Sequence, residues 1–144
     1  MQYERIEKGY MAYVEKGEKM MSTLTRFCAE NDILSAQLSG IGAVKSIEIG
    51  AYDTEKKEYV RHVLPDVWEL VSCQGNIVLK DGLPFIHAHV TLSDHDLNTK
   101  GGHLFEATVA AVGEFFLRRE DSTALRELNP DVGLPCMCLE KTFQ

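Results

Sequence analysis

The sequence predicts an α+β domain, a mainly antiparallel β-sheet with one packed α-helix. Three observations carry that expectation. Short apolar runs recur with period two and are separated by Gly, Asn and Asp turn signals. One stretch alone shows a clear 3.6-residue apolar stripe. No internal repeat, low-complexity tract or linker interrupts the chain, so residues 1–144 are expected to form a single domain.

Taken in order, Tyr10 to Val14 reads as a short strand ended by Glu15-Lys16-Gly17. Met20, Met21, Leu24, Phe27 and Cys28 fall on one face of a helix from about Glu18 to Glu30, which Asn31-Asp32 ends. Such a stripe is core rather than a partner groove. Ile33 to Leu38 follows as a strand and leads into Ser39-Gly40-Ile41-Gly42-Ala43-Val44. The G-x-G there lacks the third glycine of a dinucleotide fingerprint and does not open a helix, so it predicts a tight turn or bulge. In Lys45 to Tyr52, Ile47, Ile49 and Ala51 alternate with Ser46, Glu48 and Gly50, a strand with one buried face.

Asp53 to Lys57 is a polar turn, Glu58 to Val63 the return strand, Val67 to Cys73 another, and Gln74-Gly75-Asn76 a bend before Ile77 to Leu79. Lys80-Asp81-Gly82 is a hairpin signal, because Asp-Gly supplies the positive φ of a tight turn. Leu104 to Leu117 suits strand and helix patterns alike and is assigned as strand. Asp121 to Asn129 reads as a polar connection with a helical turn, and Pro135 to Leu139 as a final strand.

Four of the five histidines lie between Pro84 and Leu104. On a strand, i and i+2 point to one face, so His87 and His89 project together, at a reach that suits one shared metal. His103 follows Gly101-Gly102, whose backbone freedom would let it return near the first strand and supply a third nitrogen. The pair reads either as polar positions on a half-exposed strand or as metal ligands, with His95 in reserve. His62, in another strand, is expected to be exposed.

Composition limits the partners. The chain is 44% hydrophobic and 26% charged, ordinary for a globular protein. No apolar run could span a bilayer and nothing resembles a secretory signal, so the expected location is the cytoplasm. Cys28, Cys73, Cys136 and Cys138 form no C-x-x-C and are expected to be buried, reduced thiols. With 15 Lys and Arg against 22 Asp and Glu the net charge is −7, and no basic run exceeds a pair. That balance disfavours DNA binding, which draws on clustered cations.

The ordered motifs Ser39-Gly40-Ile41-Gly42-Ala43-Val44, Trp68-Glu69-Leu70-Val71-Ser72-Cys73-Gln74-Gly75-Asn76-Ile77, Pro84-Phe85-Ile86-His87-Ala88-His89 and Gly101-Gly102-His103-Leu104 resemble the PPC domain, the "plants and prokaryotes conserved" domain. The resemblance runs from about Tyr10 to Leu139. It implies a mainly antiparallel sheet with a packed helix, a homotrimer, and strand for Thr108 to Leu117. Prokaryotic members resemble this chain in carrying H-x-H and G-G-H, which implies His87, His89 and His103 as metal ligands. Plant members lack these histidines and instead accompany AT-hook motifs. This chain has no AT-hook, so DNA binding rests on analogy.

Two functions follow as expectations. One is a trimeric regulatory or DNA-associated protein with a divalent metal, zinc, at the three histidines. The alternative is a small zinc enzyme in which a water in the fourth position, its pKa lowered to about 7, is activated with Glu69 as general base. Asp94 and Asp96, in the histidine loop, stand behind Glu69 as candidates or form a solvated loop tip.

Overall fold

The computed structural model describes residues 1–122 and 124–140. Among the described residues there are eight strands and one helix: β1 (Gln2–Ile6), β2 (Gly9–Val14), α1 (Met20–Glu30), β3 (Ala36–Asp53), β4 (Glu58–Lys80), β5 (Leu83–Ser93), β6 (Thr99–Arg119), β7 (Leu125–Asn129) and β8 (Leu134–Cys138). The α+β expectation holds, including strand rather than helix for Leu104 to Leu117. Among the described residues no helix is long and apolar enough to cross a membrane.

The sheet runs β1-β2-β6-β3-β4-β7-β8, and β5 bridges β4 to β6. The antiparallel pairings of β3 with β4, β4 with β5, β5 with β6 and β6 with β3 therefore close into a ring. Alternate side chains of these strands, including Val44, Ile47, Leu70, Cys73, Val90, Leu92 and Leu104, turn inward to the core. The apolar stripe of α1 joins the same core through Met20, Leu24, Phe27 and Cys28. Burial pushes the Cys28 and Cys73 thiols up to about 12, so both are inert, whereas Cys138 is exposed and Cys136 half-buried, against expectation.

Four sequence expectations need correction. The two strands foreseen at 33–38 and 45–52 are one strand, β3, with register shifts between Gly40 and Gly42 and between Lys45 and Ile47. A bulge bends a strand without ending it, which is why the G-x-G looked like a boundary. Likewise 58–63, 67–73 and 77–79 are one strand, β4, and Gly75 is paired in register with both Leu38 and Ala88 rather than forming a bend. Pro65 is accommodated because it lies opposite the second bulge, where no ladder donor is required. Gln2–Ile6, ahead of the first strand expected from the sequence, is itself a strand and pairs with β2. Finally, within the polar connection expected from Asp121 to Asn129, Leu125–Asn129 is a strand rather than a helical turn, paired with β8 and joined to β4 through Leu79 and Lys80.

The helix start is capped from a distance. Lys19, the residue before α1, offers no capping side chain. Instead the Glu106 carboxylate of β6 accepts the backbone N–H of Met21 at 2.8 Å, that of Ser22 at 3.1 Å and the Ser22 hydroxyl at 2.6 Å, besides the N–H of Ala107 at 2.9 Å. Two orphan helix donors are thereby satisfied, and the negative charge sits at the positive end of the helix.

Candidate metal centre

β5 and β6 pair only from His89 opposite His103 to Ser93 opposite Thr99. Beyond that point β6 continues along β3 and β5 continues along β4, so the two strands fork at the histidines, and α1 lies against both. On β5, Ala88 and Val90 face the core, which forces His87 and His89 to the opposite face. His103 joins them as the cross-strand partner of His89. Gly101 and Gly102 serve this approach, but through their missing side chains: a Cβ would stand 2.7 Å from the Val90 carbonyl oxygen at the first and 2.8 Å from that of Gly50 at the second. Neither adopts a positive φ, so close packing, not backbone freedom, explains the pair.

The three rings form a triangle with centroids 5.2 Å (His87 to His89), 5.1 Å (His87 to His103) and 5.5 Å (His89 to His103) apart. One ligand nitrogen from each lies within 4.8 Å of the others. Nitrogens bound tetrahedrally at 2.0 to 2.1 Å stand about 3.4 Å apart, a separation that modest side-chain rotation supplies. His103 is held between Tyr59 and Phe105, with ring centroids at 4.8 and 4.7 Å, and its Nδ1 is buried with no hydrogen-bond partner. Burial, then the neighbouring His87 and His89, then Arg61 and Arg126, push its pKa down to about 4. His87 is lowered as well, by burial, Arg126 and His89. Both rings are therefore neutral at pH 7, the form that ligates a metal. The set fits a divalent transition metal.

An arginine completes the surroundings. Arg126 of β7 is 8% exposed and donates to the Asn76 side-chain oxygen at 2.8 Å and to the Pro135 carbonyl at 2.9 Å. Its Nη2 lies 3.1 Å from His87 Nδ1. A guanidinium only donates, so this nitrogen of His87 accepts and the ring proton resides on Nε2. Burial lowers the pKa of Arg126, with Cys136 and Tyr59 acting the other way.

The other candidates lie elsewhere. Glu69 is exposed on β4 opposite Ser93, five positions from Gln74, the partner of His89, or about 16 Å at strand rise. Asp94 shapes the β5–β6 loop by accepting the N–H of Asp96 at 3.0 Å and of Asn98 at 2.9 Å, and His95 and Asp96 are exposed at that loop's tip. His62 is exposed on β4 opposite Ile49. None of these shares the histidine cluster. Sequence reasoning missed Tyr59, Phe105, Asn76 and Arg126. Phe105 was within reach, because it follows His103 at i+2 on one face; nothing local marks Arg126.

Solved structures share this arrangement of strands over nearly the whole chain. A plant- and prokaryote-conserved (PPC) protein from Pyrococcus horikoshii is 36% identical, with 98% of this chain and 96% of that one covered at a TM-score of 0.87. A metal-containing protein from Archaeoglobus fulgidus is 36% identical over 96% of this chain and 99% of that one, at 0.84. A candidate DNA-binding protein from Bacteroides thetaiotaomicron is 27% identical over 97% and 98%, at 0.93. No curated protein matches the sequence. The model of the Plants and Prokaryotes Conserved (PCC) domain matches residues 1–120, and with the fold in agreement the chain belongs to that family, the PPC domain proteins.

Proposed function

We propose that this chain is a regulatory PPC-domain protein that works as a homotrimer and holds one divalent transition metal per subunit, zinc, on His87, His89 and His103. The observation that carries the reading is the buried, partnerless Nδ1 of His103, on a ring that clusters with two further histidines. A buried ring nitrogen without a partner is costly, and a metal is the partner that suits three converging imidazoles. The metal content of the Archaeoglobus relative supports it. Bound there, the ion would supply a Lewis acid with a position the protein does not fill. Tyr59 and Phe105 fix the His103 ring, and the Asn76 contact steadies Arg126 beside His87. Elemental analysis of untagged protein tests the reading; less than a tenth of an ion per subunit, as an order of magnitude, would refute it.

The trimer has a surface to use. Met11 and Phe116 stand opposite each other on β2 and β6 and are 42% and 50% exposed, and Ile41 and Val112 add exposed apolar surface nearby. Sedimentation equilibrium at micromolar concentration is expected to give three times the chain mass. A stable monomer would overturn the assembly.

DNA association is carried by the name of the Bacteroides relative, while the net charge of −7 opposes it. The isolated protein is expected to show no sequence-specific duplex binding by fluorescence anisotropy at roughly physiological salt. Submicromolar, sequence-dependent binding would mean that assembly creates a basic surface.

The second reading, a metal-dependent enzyme with Glu69 as general base, draws on the three-ligand count, which leaves room for a substrate. Within one chain Glu69 is too distant, so it would have to come from a neighbouring subunit. Metal-dependent ester or phosphoester turnover abolished by Glu69→Gln would select this reading.

A further inference from the structure

Among the described residues the charges around the histidines do not balance. Arg126 is more than nine-tenths buried, its acceptors are the neutral Asn76 side chain, the Pro135 carbonyl and His87, and its Nε has no partner. Among the described residues no carboxylate forms an ion pair with it, whereas Arg61, the other nearby guanidinium, is paired with Glu48 at 2.9 Å. An uncompensated buried cation is expensive, and a divalent metal a few ångströms away would add to the excess positive charge.

Metal binding at His87 also disturbs Arg126. If Nδ1 takes the metal, the arginine loses its acceptor; if Nε2 does, the ring proton moves to Nδ1 and meets the guanidinium donor head-on. Either way one N–H of Arg126 Nη2, whose other N–H stays on Asn76, is left beside the centre as a charged donor without an acceptor. An oxyanion that touches both the metal and the guanidinium answers both needs.

The fork between β5 and β6 offers room for the rest of such a molecule. A cavity of about 530 Å³ opens there, lined by His103, Phe85 and Phe105 and by Ser22, Thr25 and Arg26 of α1. That volume is in the range of small-molecule sites. Cavities of about 510 and 490 Å³ beside β1 and β2 contain none of the centre's groups.

We propose that the centre is a receptor for a small oxyanion, a phosphate- or carboxylate-bearing molecule with an aromatic or apolar body, whose anionic head binds the metal and Arg126 while its body lies between Phe85 and Phe105. The proposal rests on the metal reading for half of its head-group contacts and on Arg126 for the other half. Calorimetric titration with phenyl phosphate and with inorganic phosphate tests it, on zinc-loaded and on metal-free protein. The loaded wild type is expected to bind phenyl phosphate about tenfold or more tightly than inorganic phosphate. Arg126→Gln should keep its zinc and lose about tenfold or more in affinity for both probes. Phe85→Leu, which leaves the His103 ring and its neighbours intact, should erode the preference for phenyl phosphate and keep inorganic phosphate binding. No binding to the loaded wild type at about 10 mM, or equal affinity in Arg126→Gln, overturns the proposal. If Arg126→Gln does not fold, the wild-type comparison and Phe85→Leu still decide. A chain that takes up no zinc defeats the metal reading alone; the metal-free wild type should then still bind phenyl phosphate, more weakly, and silence there overturns the anion site as well.

Discussion

Replacing His103 by alanine is expected to cut zinc from about one ion per subunit to near zero after dialysis against micromolar metal, a loss in affinity of at least about a hundredfold. Removing a ligand should exceed the 10- to 100-fold typical of losing a mere supporting contact. His87→Ala and His89→Ala should behave alike, because the three nitrogens converge and, among the described residues, no fourth ligand joins them in the cluster. His62→Ala should retain the metal, since His62 lies on β4 outside the cluster. Elemental analysis of the four variants, each checked for folding by circular dichroism, makes the comparison. Equal metal content in His103→Ala and the wild type would dismantle the site.

The same residue gives a pH signature in chelator-treated protein. His103 titrates near 4 in the fold against 6.5 when free, so between these values the unfolded chain binds a proton that the folded chain refuses. The stability tied to this group is complete above about pH 6.5 and is lost as pH falls towards 4. The urea midpoint of the metal-free wild type should drop across that window, and His103→Gln should flatten the dependence.

Glu106→Ala is expected to cost about 2 to 4 kcal/mol of stability, because three donors at the start of α1 and one on β6 lose their acceptor together. The melting temperature should fall by several degrees. Glu106→Gln should lose less, since it keeps one acceptor oxygen but not the charge that favours the helix start. Because α1 lines the fork, the alanine variant should also loosen the wall facing His103. Thermal unfolding followed by circular dichroism separates the cases, and a melt for Glu106→Ala within about 1 °C of wild type would show the carboxylate to be dispensable.

Much of this was legible from the residues in order. Period-two patterning placed His87 and His89 on one face because Ala88 and Val90 need the core, and Asp81-Gly82 marked the hairpin that delivers them, with φ of 53° and 78°. The stripe of Met20, Leu24 and Phe27 marked the helix. These are local signals, set by backbone geometry within a few residues.

What the residues in order did not determine depends on pairing across the sheet. Bulges in β3 and β4 looked like strand ends, because one extra residue interrupts the alternation as a turn does while the ladder continues on a neighbouring strand. Glu106 reads as a surface carboxylate until β6 brings it to the start of α1, eighty-five residues away from Met21 in sequence. Glu69 carried a motif, yet register leaves it far along β4 from the histidines. Arg126 reaches His87 through a parallel pairing of just two residues with β4. Thus the sequence by itself determined the fold class, the helix, the hairpin and the shared face of two histidines, since each follows from the period of side chains along one strand or helix. Only the tertiary structure decided which charges meet at the centre, because distance between strands is set by ladder register and closure of the ring, and neither leaves a trace in residue spacing.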